Sequence, residues 1–187
     1  MRKKDDEKQN SIKKSVVQLI LQEGFHGASI SKIARLAGVS PATVYIYYQN
    51  KEKMLRDIYQ EYAEDVFDFL LQKLIPEMTG EELIDVLIRQ YYHYIHENAE
   101  TFHFVEQFRS CPSLHEGCQD LQGPASLNGI LRDYKERGIL NNFNNENIWA
   151  ILFYPVKTIA IRPYKTGSNS EDMLDEMIQI IRNALLK

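Results

Sequence analysis

The stretch AGVSPATVYIYYQNKEKML, residues 37–55, decides the fold of the N-terminal part of the chain. Gly38 can adopt the positive φ that a tight turn requires. Ser40 is a favourable N-cap, and Pro41 at the first helical position leaves no N–H group unpaired. These residues predict a tight turn followed by a two-turn helix that ends near Tyr47. So short a helix persists only when it packs against neighbouring elements.

A second short helix is predicted before this turn. Ser29 is its N-cap, and Ile33 and Ala34 face inward at helical spacing. Two short helices joined by a tight turn form a helix-turn-helix, whose second helix enters the major groove of DNA. Hydroxyl, small and basic side chains that suit base or phosphate contacts lie on the second helix and at the start of the next: Ser40, Ala42, Thr43, Tyr45, Tyr47, Lys51 and Lys53.

The charge distribution agrees with a DNA-binding N-terminus. The 187 residues carry a net charge of −4, but residues 1–56 have a balance of +6 and residues 57–187 a balance of −10. A basic first quarter attracts polyanions, whereas an acidic remainder repels them. The sequence therefore predicts a DNA-binding domain, residues 1–50, and a second domain, residues 51–187.

Apolar residues at helical spacing predict an all-α fold. The first helix carries an apolar stripe of Ile12, Val16, Leu19 and Ile20, and no segment alternates as a strand does. Besides the helix-turn-helix, the predicted helices cover residues 5–23, 50–74, 81–98, 101–110, 124–137, 148–162 and 171–187.

The N-terminal stretch resembles the DNA-binding domain of the tetracycline-repressor (TetR) family over residues 12–57. The resemblance rests on the ordered run of residues 37–55 and on Gly24-Phe25, Ser29-Ile30 and Ile33-Ala34. It implies an Ω-shaped homodimer with about nine helices per subunit, in which the last two helices of each subunit form a four-helix interface. It also implies a regulator, commonly a repressor, that binds a near-palindromic operator in double-stranded DNA and is released by a small-molecule effector.

The resemblance also implies roles for single residues. Tyr48 falls where the family has a core phenylalanine, and we assign it to packing. The family's DNA contacts fall on Ser29, Lys32, Ser40, Ala42, Thr43, Tyr45, Tyr47 and Lys51.

The second domain has no motif that identifies a ligand. Its aromatic side chains can line a cavity for an apolar or aromatic effector, or they can form an aromatic-rich core. The residues predicted to contact a ligand are Tyr91, His93, Tyr94, Phe102, Phe108, Trp149 and Phe153. The last helix has two apolar rows, of which one can face its own core and the other a partner subunit. The residues predicted for the dimer interface are Met173, Leu174, Met177, Ile178, Ile181 and Leu185.

Other function classes have less support in the sequence. The cysteines and nearby histidines lack the spacing of a recognised metal site, so we expect no metal and no cofactor. No phosphate-binding loop or nucleophile elbow is present, so we expect no catalytic residues. No apolar segment suits a membrane span or a signal peptide, so we expect a cytoplasmic protein. The alternatives are a helical dimeric enzyme and a protein-interaction module, which would lack salt-dependent binding to duplex DNA.

Overall fold

The helical spacing in the sequence is realised as an all-α fold. This computed structural model describes residues 2–109, 121–162 and 170–187. Within those ranges no strand occurs beyond an isolated bridge between Leu140 and Leu186, and no helix is long and apolar enough to cross a membrane. The described residues contain nine helices: α1 (Arg2–Gly27), α2 (Ile30–Leu36), α3 (Pro41–Tyr47), α4 (Lys51–Leu71), α5 (Gly80–Glu97), α6 (Ala99–Arg109), α7 (Gln122–Glu136), α8 (Asn145–Ile161) and α9 (Ser170–Leu185).

Capping side chains begin both helices of the helix-turn-helix. The Ser29 hydroxyl accepts a hydrogen bond from the Lys32 amide at 3.3 Å, and the Ser40 hydroxyl accepts one from the Thr43 amide at 3.1 Å. Gly38 joins the two helices with a φ of 69°, which residues with a Cβ rarely adopt. The predicted caps and turn are confirmed.

Single residues set two of the helix boundaries. Gly24 has a φ of 71° and a ψ of 177°, which are not helical, but the backbone forms a further turn that ends at Gly27. Gly24 therefore ends the first helical segment at Glu23, as predicted, and a separate short segment follows up to Gly27. Helix α8 begins earlier than predicted because the Asn144 side chain accepts a hydrogen bond from the Glu146 amide at 2.8 Å and caps the helix. The helix therefore begins three residues before the predicted residue 148.

The first compact unit contains residues up to 63 and residues 100–109 of the described chain. The apolar stripe predicted on α1 is buried in its core. Helix α6 adds Phe108, whose ring stacks on Tyr59 with centroids 4.2 Å apart and meets Phe25 edge-on at 5.7 Å. These ring contacts place α6 with the N-terminal helices, whereas the sequence assigns it to the second domain.

The second compact unit contains residues 64–99 and the described residues from 121 onward. Helices α5, α8 and α9 pack against one another in this unit. An ion pair of 2.6 Å between Arg89 on α5 and Asp175 on α9 adds to the apolar packing at its surface. The division between the units falls inside α4, whereas the sequence places its domain boundary after residue 50.

Candidate nucleic-acid interface

Helix α3 has one buried face and one exposed face. Val44 is fully buried and Tyr48 is 5% exposed, so these two residues hold α3 on the core of the first unit. Burial raises the pKa of the Tyr48 hydroxyl, as expected for a packing residue. On the other side of the helix, Tyr45 is 55% exposed and Ile46 is 77% exposed. A single helix of this kind fits the major groove, which is about 12 Å wide.

All eight residues predicted to contact DNA lie in the first unit and have at least part of their surface in solvent. They come from the N-terminal end of α2, from α3 with its cap, and from the start of α4. Four are exposed, namely Ser29, Ser40, Ala42 and Tyr45, and four are half-buried, namely Lys32, Thr43, Tyr47 and Lys51. Their contacts with DNA stay a prediction.

Two of the predicted DNA contacts also tie the end of α1 to the helix-turn-helix. The Lys32 ammonium group donates to the Glu23 carboxylate at 2.5 Å and to the Gly27 carbonyl at 3.1 Å. The Lys51 ammonium group donates to the Phe25 carbonyl at 2.6 Å. Glu23 offsets the charge of Lys32, whereas the partner of Lys51 among the described residues is a neutral carbonyl. We therefore expect Lys51 to attract a DNA phosphate more strongly than Lys32 does.

The hydroxyl group of Tyr47 is hydrogen-bonded to a carboxylate of α1. This hydroxyl donates to Asp5 Oδ1 at 2.5 Å. The hydrogen bond, followed by desolvation and the negative charges of Asp5 and Asp6, raises the pKa of Tyr47. A DNA phosphate would compete with the Asp5 carboxylate for the same donor, since both are anionic acceptors.

Ile46 is the most exposed large apolar residue of the described chain, and sequence reasoning gave it no role. Successive helical residues are about 100° apart, so Ile46 lies about 200° around the helix from the buried Val44 and close to Ala42. This spacing is a signal that the sequence already contains. Ile46 was missed because only polar, basic and small side chains were expected to contact DNA.

The residues predicted to contact a ligand are divided between the two units. Phe102 and Phe108 belong to the first unit and are 2% and 0% exposed. His93 belongs to the second unit and is exposed. A buried ligand in the second unit would therefore need a different polar partner from His93.

Three predicted ligand residues come together in the second unit. The rings of Tyr91 and Phe153 meet edge-on with centroids 4.9 Å apart, and the rings of Phe153 and Trp149 meet at 5.7 Å. The Trp149 indole N–H donates to the Asn128 side-chain oxygen at 3.0 Å. Tyr94, the remaining member, packs edge-on against Phe69 at 5.4 Å. Their role in binding a ligand stays a prediction.

Gln90 is a buried polar residue that sequence reasoning missed. It is 6% exposed, and its Oε1 atom accepts no hydrogen bond within the described part of the chain. Gln90 precedes Tyr91 and lies one helical turn before Tyr94 on α5. An unpaired buried acceptor costs about 1–3 kcal/mol, so the site favours a water molecule or a ligand that can donate. The available signal was a glutamine between apolar positions of α5.

Helix α9 buries one of its two apolar rows and leaves the other partly exposed. Four residues of the predicted dimer interface are 1–2% exposed and belong to the chain's own core: Leu174, Ile178, Ile181 and Leu185. The other two, Met173 and Met177, are half-buried and share the second row with Ile180, which is 51% exposed. This row lines an open depression of about 350 Å³ together with Pro155 and Arg162. The exposed row therefore replaces the buried one in the dimer prediction, because a side chain in its own core cannot also reach a partner.

The described residues contain no group of three histidine, cysteine or acidic side chains that could hold a metal ion. His96 and His103 are exposed. Both cysteines, Cys111 and Cys118, and the nearby His115 lie outside the described residues, so the expectation of no metal site there stays a prediction.

Family and sequence comparisons match the N-terminal helices. Residues 15–58 match the family described as bacterial regulatory proteins, tetR family. A fatty acid metabolism regulator protein of Bacillus subtilis is 28% identical over 78 residues, which are 42% of this chain and 40% of that protein. The chain spans about half the length of the curated relatives it matches, with coverage of 40% and 56%.

Solved structures match the whole fold. A TetR family transcription regulator from Marinobacter aquaeolei has a TM-score of 0.85 and 23% identity, with 100% of both chains covered. The fatty acid degradation regulator from Bacillus halodurans has a TM-score of 0.74 and 21% identity, with 93% of this chain and 94% of that chain covered. The predicted fold class, a helix-turn-helix domain followed by a helical domain, is confirmed.

Proposed function

We propose that this chain is a member of the family of bacterial regulatory proteins, tetR family, which residues 15–58 match. In this proposal it binds a near-palindromic operator as a homodimer, represses transcription there and leaves the DNA when a small-molecule effector binds. The observation that supports this proposal is where the exposed apolar side chains lie. Of the eight large ones in the described residues, six fall in two groups, with Leu36, Tyr45 and Ile46 in α2–α3 and Tyr154, Ile161 and Ile180 in α8–α9. One group belongs to the helix-turn-helix, and the other to the helices expected to form a dimer interface.

The DNA-binding part of the proposal is tested by the salt dependence of binding. Binding of the purified chain to random-sequence duplex DNA should weaken steeply between about 50 and 200 mM salt, because phosphate contacts release counterions. Lys51→Gln should reduce the slope of log affinity against log salt by about one, and Lys73→Gln, on an exposed lysine outside the helix-turn-helix, serves as the matched control. Salt-independent or absent binding would instead favour an interaction module or an enzyme.

Dimerisation would place two copies of α3 on one face of the DNA. Half-sites read by such a pair are separated by one helical turn, about 34–36 Å, and share the two-fold symmetry of the protein. The exposed row of α9 with Pro155 of α8 supplies an apolar surface for this pairing. Sedimentation equilibrium of the free protein should give the mass of two chains.

The proposed effector is an apolar molecule with a hydrogen-bond donor. Two similar proteins are named as regulators of fatty acid metabolism or degradation, which supports a ligand with a long apolar chain. The packed rings of Tyr91, Phe153 and Trp149 supply apolar and aromatic side chains, and Gln90 in the same unit supplies an acceptor oxygen, Oε1. Fatty alcohols should bind more tightly than their methyl ethers of equal length, because only the alcohols can donate to this oxygen. Gln90→Leu should abolish that preference.

Coupling between the two binding events is tested by linkage. If the effector weakens operator binding by some factor, the operator must weaken effector binding by the same factor. Calorimetric titration of the best-binding compound, with and without the operator fragment, measures this factor directly. Equal affinities in the two titrations would contradict effector-controlled release by that compound.

A further inference from the structure

We propose that Ile46 contacts the C5-methyl group of a thymine in the major groove, so that each operator half-site requires an A·T pair beneath the exposed face of α3. The proposal rests on the proposed function and adds a base preference to it. Three uncharged side chains with methyl groups, Ala42, Thr43 and Ile46, lie within one turn of this helix. Ile46 lies four residues after Ala42 and three after Thr43, so the three are neighbours on one side of the helix.

The chemistry of this face selects a base and not a phosphate. Phosphate contacts need a charge or a hydrogen-bond donor, and an isoleucine side chain has neither. Among the groups that base edges present in the major groove, the thymine methyl is the apolar one, and aliphatic side chains contact it. The Thr43 hydroxyl lies 2.9 Å from the Ser40 hydroxyl, so part of its hydrogen-bonding capacity is used within the chain. The centre of the face is therefore mainly apolar.

Polar groups around this centre suit the DNA backbone. Tyr45 is 55% exposed and presents a hydroxyl, and the Lys51 ammonium group at the start of α4 has a neutral carbonyl as its partner among the described residues. An apolar centre with hydroxyls and a cation at its margin matches a major groove, in which the bases lie between two phosphate backbones.

The size of the patch argues against a protein partner at this position. A stable protein interface buries about 800 Å² on each partner. A patch built from Ile46 with an alanine and a threonine is far smaller, and the neighbouring Tyr45 ends in a hydroxyl. Contact with one methyl group needs no more than this area.

The experiment removes the methyl group from the DNA and its partner from the protein. Binding sites are first selected from a random duplex pool, and we expect an invariant thymine in each half-site. Replacing this thymine with deoxyuridine removes only the C5-methyl group and should weaken binding about fourfold in one half-site and about fifteenfold in both. In Ile46→Ala the same replacement should have no effect. This variant should fold, because the position is 77% exposed and alanine favours a helix.

Deoxyuridine in place of a thymine outside the half-sites is the control and should leave binding unchanged. Selected sites without an invariant thymine, or an equal deoxyuridine effect in the wild type and in Ile46→Ala, would overturn the proposal while leaving DNA binding intact. Failure to enrich any site, together with salt-independent binding, would instead overturn the proposed function.

Discussion

Helices α3 and α9 both leave large apolar side chains in solvent, but the surroundings of those side chains differ. Ile46 on α3 stands among alanine, threonine and tyrosine side chains with a lysine nearby. Ile180 on α9 continues a row that includes Met173 and Met177. An isolated apolar group among hydroxyls suits a polar partner that carries a few methyl groups, whereas an apolar row suits a second apolar surface. The neighbours of an exposed apolar side chain, more than its exposure, indicate the class of its partner.

The largest expected effect separates the two rows of α9. Ile178→Asp places a charge at a position that is 1% exposed and should destabilise the fold by about 3–5 kcal/mol or prevent folding. Ile180→Asp, two residues away and 51% exposed, should keep the helical circular dichroism signal and yield monomers. Urea unfolding and sedimentation equilibrium measure the two outcomes. A folded dimer for Ile180→Asp would show that this row is not the interface.

The next effect separates base contacts from backbone contacts on α3. Thr43→Val keeps the shape of the side chain and removes its hydroxyl, so it should lower the preference for operator over random DNA by about 1–3 kcal/mol. Tyr45→Phe also removes only a hydroxyl but should weaken binding to both DNAs equally, since its expected partner is a phosphate. Competition binding with the selected operator and with random duplex DNA measures both. Equal effects of Thr43→Val on the two DNAs would contradict direct reading of a base by that hydroxyl.

A smaller effect tests the interior of the second unit without any ligand. Gln90→Leu removes a buried acceptor that no described group satisfies, so it should raise the free energy of unfolding by about 1 kcal/mol. Gln179→Leu makes the same change at an exposed position of α9 and should have little effect on stability. Thermal and urea unfolding of both variants gives the comparison. A loss of stability in Gln90→Leu would show that water satisfies the amide in the free protein.

The helix-turn-helix could be predicted from the sequence because its geometry depends on local interactions. Ser29, Gly38 and Ser40 each act within three or four residues of their own position, through a cap or a turn. The choice between the two rows of α9 could not be predicted, since both rows are apolar and burial of one depends on the packing of α5 and α8. The carbonyl partner of Lys51 and the carboxylate partner of Tyr47 could not be predicted either, because both are distant in the sequence.

The smallest expected effect concerns the hydrogen bond between Tyr47 and Asp5. A DNA phosphate must displace the Asp5 carboxylate to accept the Tyr47 hydroxyl, and it must also approach a negative charge. Asp5→Asn removes that charge, so it should strengthen DNA binding by about two- to threefold, the scale of an exposed ion pair. Glu7→Gln makes the same charge change at another exposed position of α1 and is the matched control.

The salt dependence of DNA binding distinguishes the hydrogen bond between Tyr47 and Asp5 from a general effect of net charge. At 150 mM salt the Debye length is about 8 Å, so the effect of Glu7→Gln should fade while that of Asp5→Asn persists. Combining Asp5→Asn with Tyr47→Phe removes the shared hydroxyl, and the gain specific to Asp5 should then be lost. Equal gains for the two single variants at every salt concentration would mean that net charge alone acts on DNA binding. In that case the hydroxyl of Tyr47 does not exchange Asp5 for a phosphate.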